Sequence, residues 1–198
     1  VLDQDILNLL SKVKREEFVP QTYRTLAFVD MEIPLGHGQL MMQPKLEARI
    51  VQELAITKTD KILEVGTGSG YPTALLAHQG HHVHSVDLVP EFKTLSEIKL
   101  KAHGFANASL EVGDAARGGS RHGPYDVIVL SGSTPVLPEA YLHDLKPGGR
   151  MFAIVGDAPA MQAQLITCMG EGVYNTVTLF ETSIQPLINA QQPERFVF

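Results

Sequence analysis

From about residue 60 to residue 155, short apolar runs alternate with stretches of helical spacing, and a chain patterned this way builds a sheet from repeated βα units. The runs at 61–65, 82–86, 109–112, 125–130 and 150–155 are short and mostly apolar, as buried strands should be. Helices are predicted between them, over about 71–79, 90–103 and 136–145. The second opens on Pro90-Glu91, where a proline loses no hydrogen bond and an acid meets the positive end of the helix dipole. The third stops at Lys146-Pro147-Gly148-Gly149, which also supplies the turn into the next strand. A cap precedes this unit: a helix near 3–13, a Gly- and Pro-rich loop through 30–44, and a helix near 45–55. Two further strands are predicted near 162–168 and 173–182, followed by Pro186 and a polar tail carrying Gln191-Gln192-Pro193. The expected fold class is α/β: a doubly wound, mostly parallel sheet with an N-terminal helical cap and a C-terminal antiparallel edge.

Charge and cysteine content narrow the function. The 198 residues carry 16 Lys and Arg against 22 Asp and Glu, a net charge of −6, and the basic residues are scattered. Nucleic-acid binding needs a clustered basic face, so no nucleic-acid partner is expected. The single Cys168 allows no intramolecular disulfide and no cysteine zinc cage, which fits a reducing compartment, and the expected location is cytoplasmic. No apolar run approaches the ~18 residues that span a bilayer. The start, Val1-Leu2-Asp3-Gln4-Asp5, has neither a basic nor an apolar leader region, so membrane and secretion readings fall away. It also has no initiator Met and already reads as amphipathic helix, so native sequence is expected before Val1. Oligomeric state leaves no legible trace.

The residues that carry chemistry sit at the ends of the predicted strands. Glu64-Val65-Gly66-Thr67-Gly68-Ser69-Gly70 lies directly after one strand and before a helix. Its alternate glycines permit a tight turn with close backbone approach to a ligand, and its acid can anchor an ammonium group. The spacing is G-x-G-x-G, neither the G-x-G-x-x-G of dinucleotide sites nor a phosphate-cradling P-loop, so a phosphate-free, zwitterionic nucleoside fits better. Asp87 closes the next strand, where a carboxylate can accept both ribose hydroxyls; Gly113-Asp114-Ala115-Ala116 follows the third, with an acid for an adenine amine and small neighbours for its ring. Leu130-Ser131-Gly132 ends the fourth. Each station has a plainer reading that stays open: glycines that only turn strand into helix, Asp87 as a helix cap ahead of Pro90, Asp114 opening a turn.

Several other residues invite a role. His37, between two glycines, either donates to a substrate carboxylate or bonds backbone in a tight loop. His78, His81, His82 and His84 resemble a metal cluster, yet two follow Gly80 in a turn and His84 alternates with buried Val83, so their rings are expected to point apart and no metal is expected. Arg117 either attracts a substrate carboxylate or pairs with a nearby acid. Met31, Met41 and Met42 read as core or lid packing, and Cys168 as a small core residue.

The four stations together resemble the class I methyltransferases that use S-adenosylmethionine. A narrower likeness comes from Arg15-Glu16-Glu17-Phe18-Val19-Pro20, Pro34-Leu35-Gly36-His37-Gly38-Gln39, Gly66-Thr67-Gly68-Ser69-Gly70-Tyr71 and Leu145-Lys146-Pro147-Gly148-Gly149-Arg150. In that order they resemble the protein-L-isoaspartate O-methyltransferase family. The resemblance implies carboxyl methylation of isoaspartyl residues in damaged proteins, with S-adenosylhomocysteine as product; the ester then closes to a succinimide that reopens as aspartate. It assigns Glu64, Gly66, Gly68 and Gly70 to the methionine end of the cofactor, Asp87 to the ribose, and Asp114 and Ala115 to the adenine, with Thr67, Leu88 and Ser131 completing the pocket. The loop from His37 to Gln43 would meet the substrate, with His37 and Met42 at the catalytic positions. Where the family reads Thr-Ile-Ser, this chain reads Leu40-Met41-Met42, so the active-site serine falls on Met42. A carboxylate is already the nucleophile at neutral pH and needs mainly to be held in line; Met42 offers no O–H to hold it. The implied partner is an isoaspartyl protein or peptide, or a small carboxylate. The alternative is a cofactor-binding relative without repair activity, acting as a sensor or partner module or methylating another small acceptor. One domain is expected over 1–198, with the cap and substrate loop at 1–58, the cofactor core at 59–155, and C-terminal strands and tail at 156–198.

Overall fold

The computed structural model describes residues 3–118 and 121–193, so Val1 and Leu2 of the N-terminal reading lie outside it. The chain runs α1 (Gln4–Lys12), two 3-10 turns (Arg15–Glu17 and Gln21–Leu26), β1 (Ile33–Gly36), β2 (Gln39–Met41), α2 (Pro44–Leu54), β3 (Lys61–Val65) and α3 (Tyr71–Gln79). It continues through β4 (His82–Asp87), α4 (Pro90–Ala102), β5 (Ala108–Val112), β6 (Tyr125–Thr134), α5 (Ala140–His143), β7 (Leu145–Val155), β8 (Met161–Gly170) and β9 (Val173–Thr182). Helix starts follow local chemistry. The Asp3 side chain accepts from the Asp5 amide at the head of α1, and α2, α3 and α4 each carry a proline in the first turn.

Seven strands form one sheet in the order β5-β4-β3-β6-β7-β8-β9. β3 to β7 pair in parallel; β8 and β9 add the antiparallel edge. The order reverses between β3 and β6, which opens a crevice at their carboxyl ends. Alternation along β6 feeds both faces: Val127 and Val129 pack with Leu9, Leu54, Leu75 and Leu100 from the first four helices, Ile128 and Leu130 with Tyr141 of α5, Met151 and Cys168.

Three local expectations change. The loop at 30–44 contains the β1–β2 hairpin, closed by His37 and Gly38, both at positive φ (51° and 69°), the backbone of a type I′ turn. The helix expected over 136–145 shrinks to α5, because Pro135 and Pro138 bar the residues before them from helical backbone. Lys146-Pro147-Gly148-Gly149 falls inside β7: Tyr125 pairs with Leu145 but Val127 with Arg150, so the glycines bulge out of the strand instead of preceding it.

One buried ion pair ties the parts of the cap to one another. Arg15, 2% exposed, pairs with Glu47 of α2 and donates to the carbonyls of Ala27 (2.6 Å) and Met42 (2.8 Å), its guanidinium 5.4 Å from the centre of the Tyr71 ring. Glu47 stands on the same helix face as buried Ile50, Val51 and Leu54, where its charge needs that partner. Arg15→Ala strands the carboxylate in the core and is expected to cost about 3–5 kcal/mol. A urea melt checks this; an unchanged midpoint would remove the pair from the list of structural ties.

Candidate active site

A cavity open to solvent lies where the carboxyl ends of β3, β4, β5 and β6 diverge, about 810 Å³ when the space at its mouth is included. The turn after β3 forms its floor. Gly68 has φ +51° and an added Cβ would press Leu35 at 3.3 Å; Gly70 has φ +80° and its Cβ would stand 2.8 Å from that of Ser96 on α4. Gly66, Thr67 and Gly68 line the cavity, whereas Gly70 stands back and lets α3 start against α4.

Glu64 also stands behind the wall. One carboxyl oxygen accepts from the hydroxyls of Thr73 and Ser85, and Ser85 lies 2.6 Å from Thr67 Oγ1, so the acid braces the turn from below. Burial pushes its carboxyl up to about 8 against those hydrogen bonds. Asp87 lines the cavity and holds the same turn from the side: Oδ2 accepts from the Gly68 amide (2.9 Å) and Oδ1 from the Val89 amide (2.8 Å). Asp87 is not the cap of α4, whose N-cap is Val89 with no side-chain bond; its carboxylate turns the chain ahead of the helix and keeps further lone pairs for a ligand. Leu88 lines the wall beside it.

Asp114 and Ala115 line the far side. Asp114 Oδ1 accepts from the Ala116 amide (3.1 Å), the turn expected of it, and Oδ2 from the Asn189 side chain (2.7 Å). Ser131 completes the four stations, its hydroxyl buried and without a partner. Sequence reasoning found only a loose likeness to the family's closing strand at 183–187 and gave it no site role; Gln185–Ile188 lines the cavity, bonds the end of β6 through Ser133 and reaches the hairpin through Gln185 and the Gly38 carbonyl (2.6 Å). Sequence reasoning missed Glu47, although a charge spaced with Ile50, Val51 and Leu54 marks an acid on a core face.

On the hairpin, Leu35, Gln39, Leu40, Met41 and Met42 line the cavity. His37 does not: it sits at the tip, 2.6 Å from Glu91 on α4, and closes the hairpin onto that helix. Arg117 donates to the Asn189 carbonyl (3.0 Å) instead of an acid. The histidine rings correct another expectation. His82 and His84 are two residues apart on β4 and share a face, ring centres 4.6 Å apart, with His122 stacked 4.7 Å from His84; burial and the neighbouring rings push His84 down to about 4. Among the described residues no group of three or more His, Cys, Asp or Glu is arranged to hold a metal ion.

The donor set fits a nucleoside with a charged amino-acid end. Ser131 Oγ, Gln185 Oε1 and Glu47 Oε1 are buried, unpartnered and on residues that line the cavity, so polar capacity is left for a ligand. A sheet of this order with such a cavity at the strand ends defines the class I methyltransferases, the S-adenosylmethionine-dependent class. The family model described as Protein-L-isoaspartate(D-aspartate) O-methyltransferase (PCMT) matches residues 1–191. The chain belongs to that family. It is 35% identical over 191 residues to the protein-L-isoaspartate O-methyltransferase of Koribacter versatilis (strain Ellin345), covering 96% of this chain and 86% of that one. It is 37% identical over 165 residues to the enzyme of that name from Myxococcus xanthus (strain DK1622), covering 83% and 78%. The fold matches a Plasmodium falciparum protein assigned as a protein-L-isoaspartate O-methyltransferase and crystallised with S-adenosyl-L-homocysteine: TM-score 0.82, 18% identity, 94% of this chain and 91% of that one.

Gly68→Val forces a branched side chain into left-handed backbone against Leu35, and Asp87→Ala removes a carboxylate that braces the same turn. Each is expected to weaken S-adenosylhomocysteine binding by about tenfold or more, the value of one charged hydrogen bond. Calorimetry checks this, and wild-type affinity in either variant would take that residue out of the cofactor site.

Proposed function

We propose that the protein transfers a methyl group from S-adenosylmethionine to a carboxylate oxygen, with an isoaspartyl residue of a protein or peptide as acceptor, and releases S-adenosylhomocysteine. The observation that carries this reading is the convergence of Gly66–Gly68, Asp87, Asp114 and Ser131 on one cavity in a chain of this family. In this reading the turn at 66–68 takes the methionine end, Asp87 and Leu88 the ribose, and Asp114 and Ala115 the adenine, with Asn189 yielding or sharing Asp114. When bound, the cofactor supplies a methyl group on a sulfonium. The protein supplies alignment: the acceptor carboxylate needs no base, only to be held in line and shielded from water.

Met42 bears on that last task. It is 6% exposed and lines the cavity; in this reading it stands where the family serine would, with a flexible thioether in place of a hydroxyl. Isoaspartyl transfer is therefore expected to be slow here, by about 100-fold for a lost positioning contact. Leu35, Leu40 and Met42 give the mouth an apolar lining, which favours a second reading, a less polar small acceptor. A relative that binds the cofactor and transfers nothing is the remaining outcome. Among the described residues no helix is long and apolar enough to cross a membrane.

The test is labelled methyl transfer to an isoaspartyl peptide, with the aspartyl peptide as control. Wild type is expected to give weak, base-labile label on the isoaspartyl peptide alone, and Met42→Ser to raise it by about 100-fold. Cofactor binding with no label in either protein would turn the assignment to another acceptor or to binding alone.

A further inference from the structure

The far side of the cavity holds a contact that methyl transfer does not need. Asp114 turns Oδ1 to the Ala116 amide of its own loop, and its Oδ2 accepts from Asn189 Nδ2 at 2.7 Å. Nitrogen is the carboxamide atom that faces Asp114, since the oxygen would repel a carboxylate. Asp114 lines the cavity and Asn189 does not, so the carboxamide reaches this acid from outside the cavity wall. The backbone of Asn189 is held independently of that contact. Arg117 donates to its carbonyl (3.0 Å), and the next residue, buried Ala190, donates to the Leu187 carbonyl (3.1 Å). Leu187 in turn donates to the Ser133 carbonyl at the end of β6 (2.9 Å). Asn189 itself is exposed, at φ +65°, a left-handed backbone that asparagine tolerates better than most residues. Its side chain is therefore free to swing into solvent while the chain around it stays in place.

We propose that Asn189 is an autoinhibitory stand-in for the adenine of the cofactor: its carboxamide NH2 holds the Asp114 oxygen that the exocyclic amine of adenine takes on binding. The two groups are alike in chemistry. Each is a planar NH2 conjugated to its neighbour, a pair of N–H donors, so a carboxylate placed for one suits the other. A cofactor that displaces Asn189 exchanges one charged hydrogen bond for another and gains only the difference between them. The contact thus lowers the affinity for methyl donor and demethylated product by the same factor, because both carry the same adenine. It acts on how long either is retained and leaves the transfer step alone. The inference rests on the assignment of Asp114 to adenine in the proposed function and is independent of the methyl acceptor.

The test is calorimetry with S-adenosylhomocysteine on wild type, Asn189→Gly, Asp114→Ala and the double variant. Asn189→Gly removes the carboxamide and keeps the backbone, since glycine accepts φ +65° and the Arg117 bond goes to the main chain. It is expected to tighten binding by about tenfold, the value of one charged hydrogen bond. Asp114→Ala is expected to weaken binding by about tenfold on the same basis. Adding Asn189→Gly to Asp114→Ala is expected to change nothing further, because the contact is already gone. Unchanged or weaker binding in Asn189→Gly overturns the proposal, as Asn189 would then be idle or would share Asp114 with the adenine. Equal tightening in the Asp114→Ala background also overturns it, since the gain would not pass through Asp114. Where Asp114→Ala binds too weakly to measure, the direction of the change in Asn189→Gly decides alone. Wild-type affinity in Asp114→Ala removes the adenine assignment, and failure of wild type to bind S-adenosylhomocysteine overturns the cofactor reading itself; both are distinct from a failure at Asn189.

Discussion

Arg15 is 2% exposed, and a cation removed so far from water is tolerable only where an anion and further hydrogen bonds meet it together. Glu47, the Ala27 carbonyl and the Met42 carbonyl supply them, and these three come from separate parts of the chain. The ion pair therefore fixes where the first 3-10 turn lies against α2, and where the hairpin re-enters the body of the protein. Met42 is held by its backbone while its side chain turns to the cavity. The Met42 end of the cavity is thus positioned by an interaction among cap residues, and the glycine-turn end by the sheet.

The glycine-turn end is built on a second buried acid. Glu64 accepts from Thr73 and Ser85, Ser85 touches Thr67, and Asp87 takes the Gly68 amide, so the glycine turn is held from beneath and beside. A glycine turn left to itself would lose much conformational freedom on ordering. Here β3 and β4 supply the two acids and the serine that brace it, and α3 the threonine, so the turn's shape is set before any ligand arrives.

The parts legible in the sequence were those written in local pattern. The strand at 61–65 and the helix at 71–79 match β3 and α3, because apolar runs and a glycine turn declare both ends of each. The four stations were placed at strand ends for the same reason, and the cavity gathers Asp87, Asp114 and Ser131 there. Glu64 and Gly70 were legible as motif members but not as braces, since nothing in a linear motif says which side of a turn a residue supports. The hairpin strands are too short for alternation to emerge, and the proline-limited α5 keeps only its last turn. The Asn189–Asp114 and Gln185–Gly38 contacts join residues far apart in sequence and leave no local trace. Two signals were present and unread: the period of two that puts His82 and His84 on one face, and the helical spacing that sets Glu47 among apolar residues.

Charge at the cavity completes the picture of how such a site would turn over. Glu47 and Asp87 line it, Glu64 lies just behind, and Arg15 is the cation packed against Glu47. Burial pushes both glutamates up, against the pull of Arg15 on Glu47 and of two hydroxyls on Glu64, so each ionised carboxylate is short of compensating interactions. A cationic ligand relieves that shortage and favours the ionised forms; a neutral one of the same shape does not. Burial of both glutamates magnifies the difference, because charges away from solvent are screened less. In the proposed reaction a sulfonium becomes a neutral thioether, which buried acids of this kind would hold less tightly.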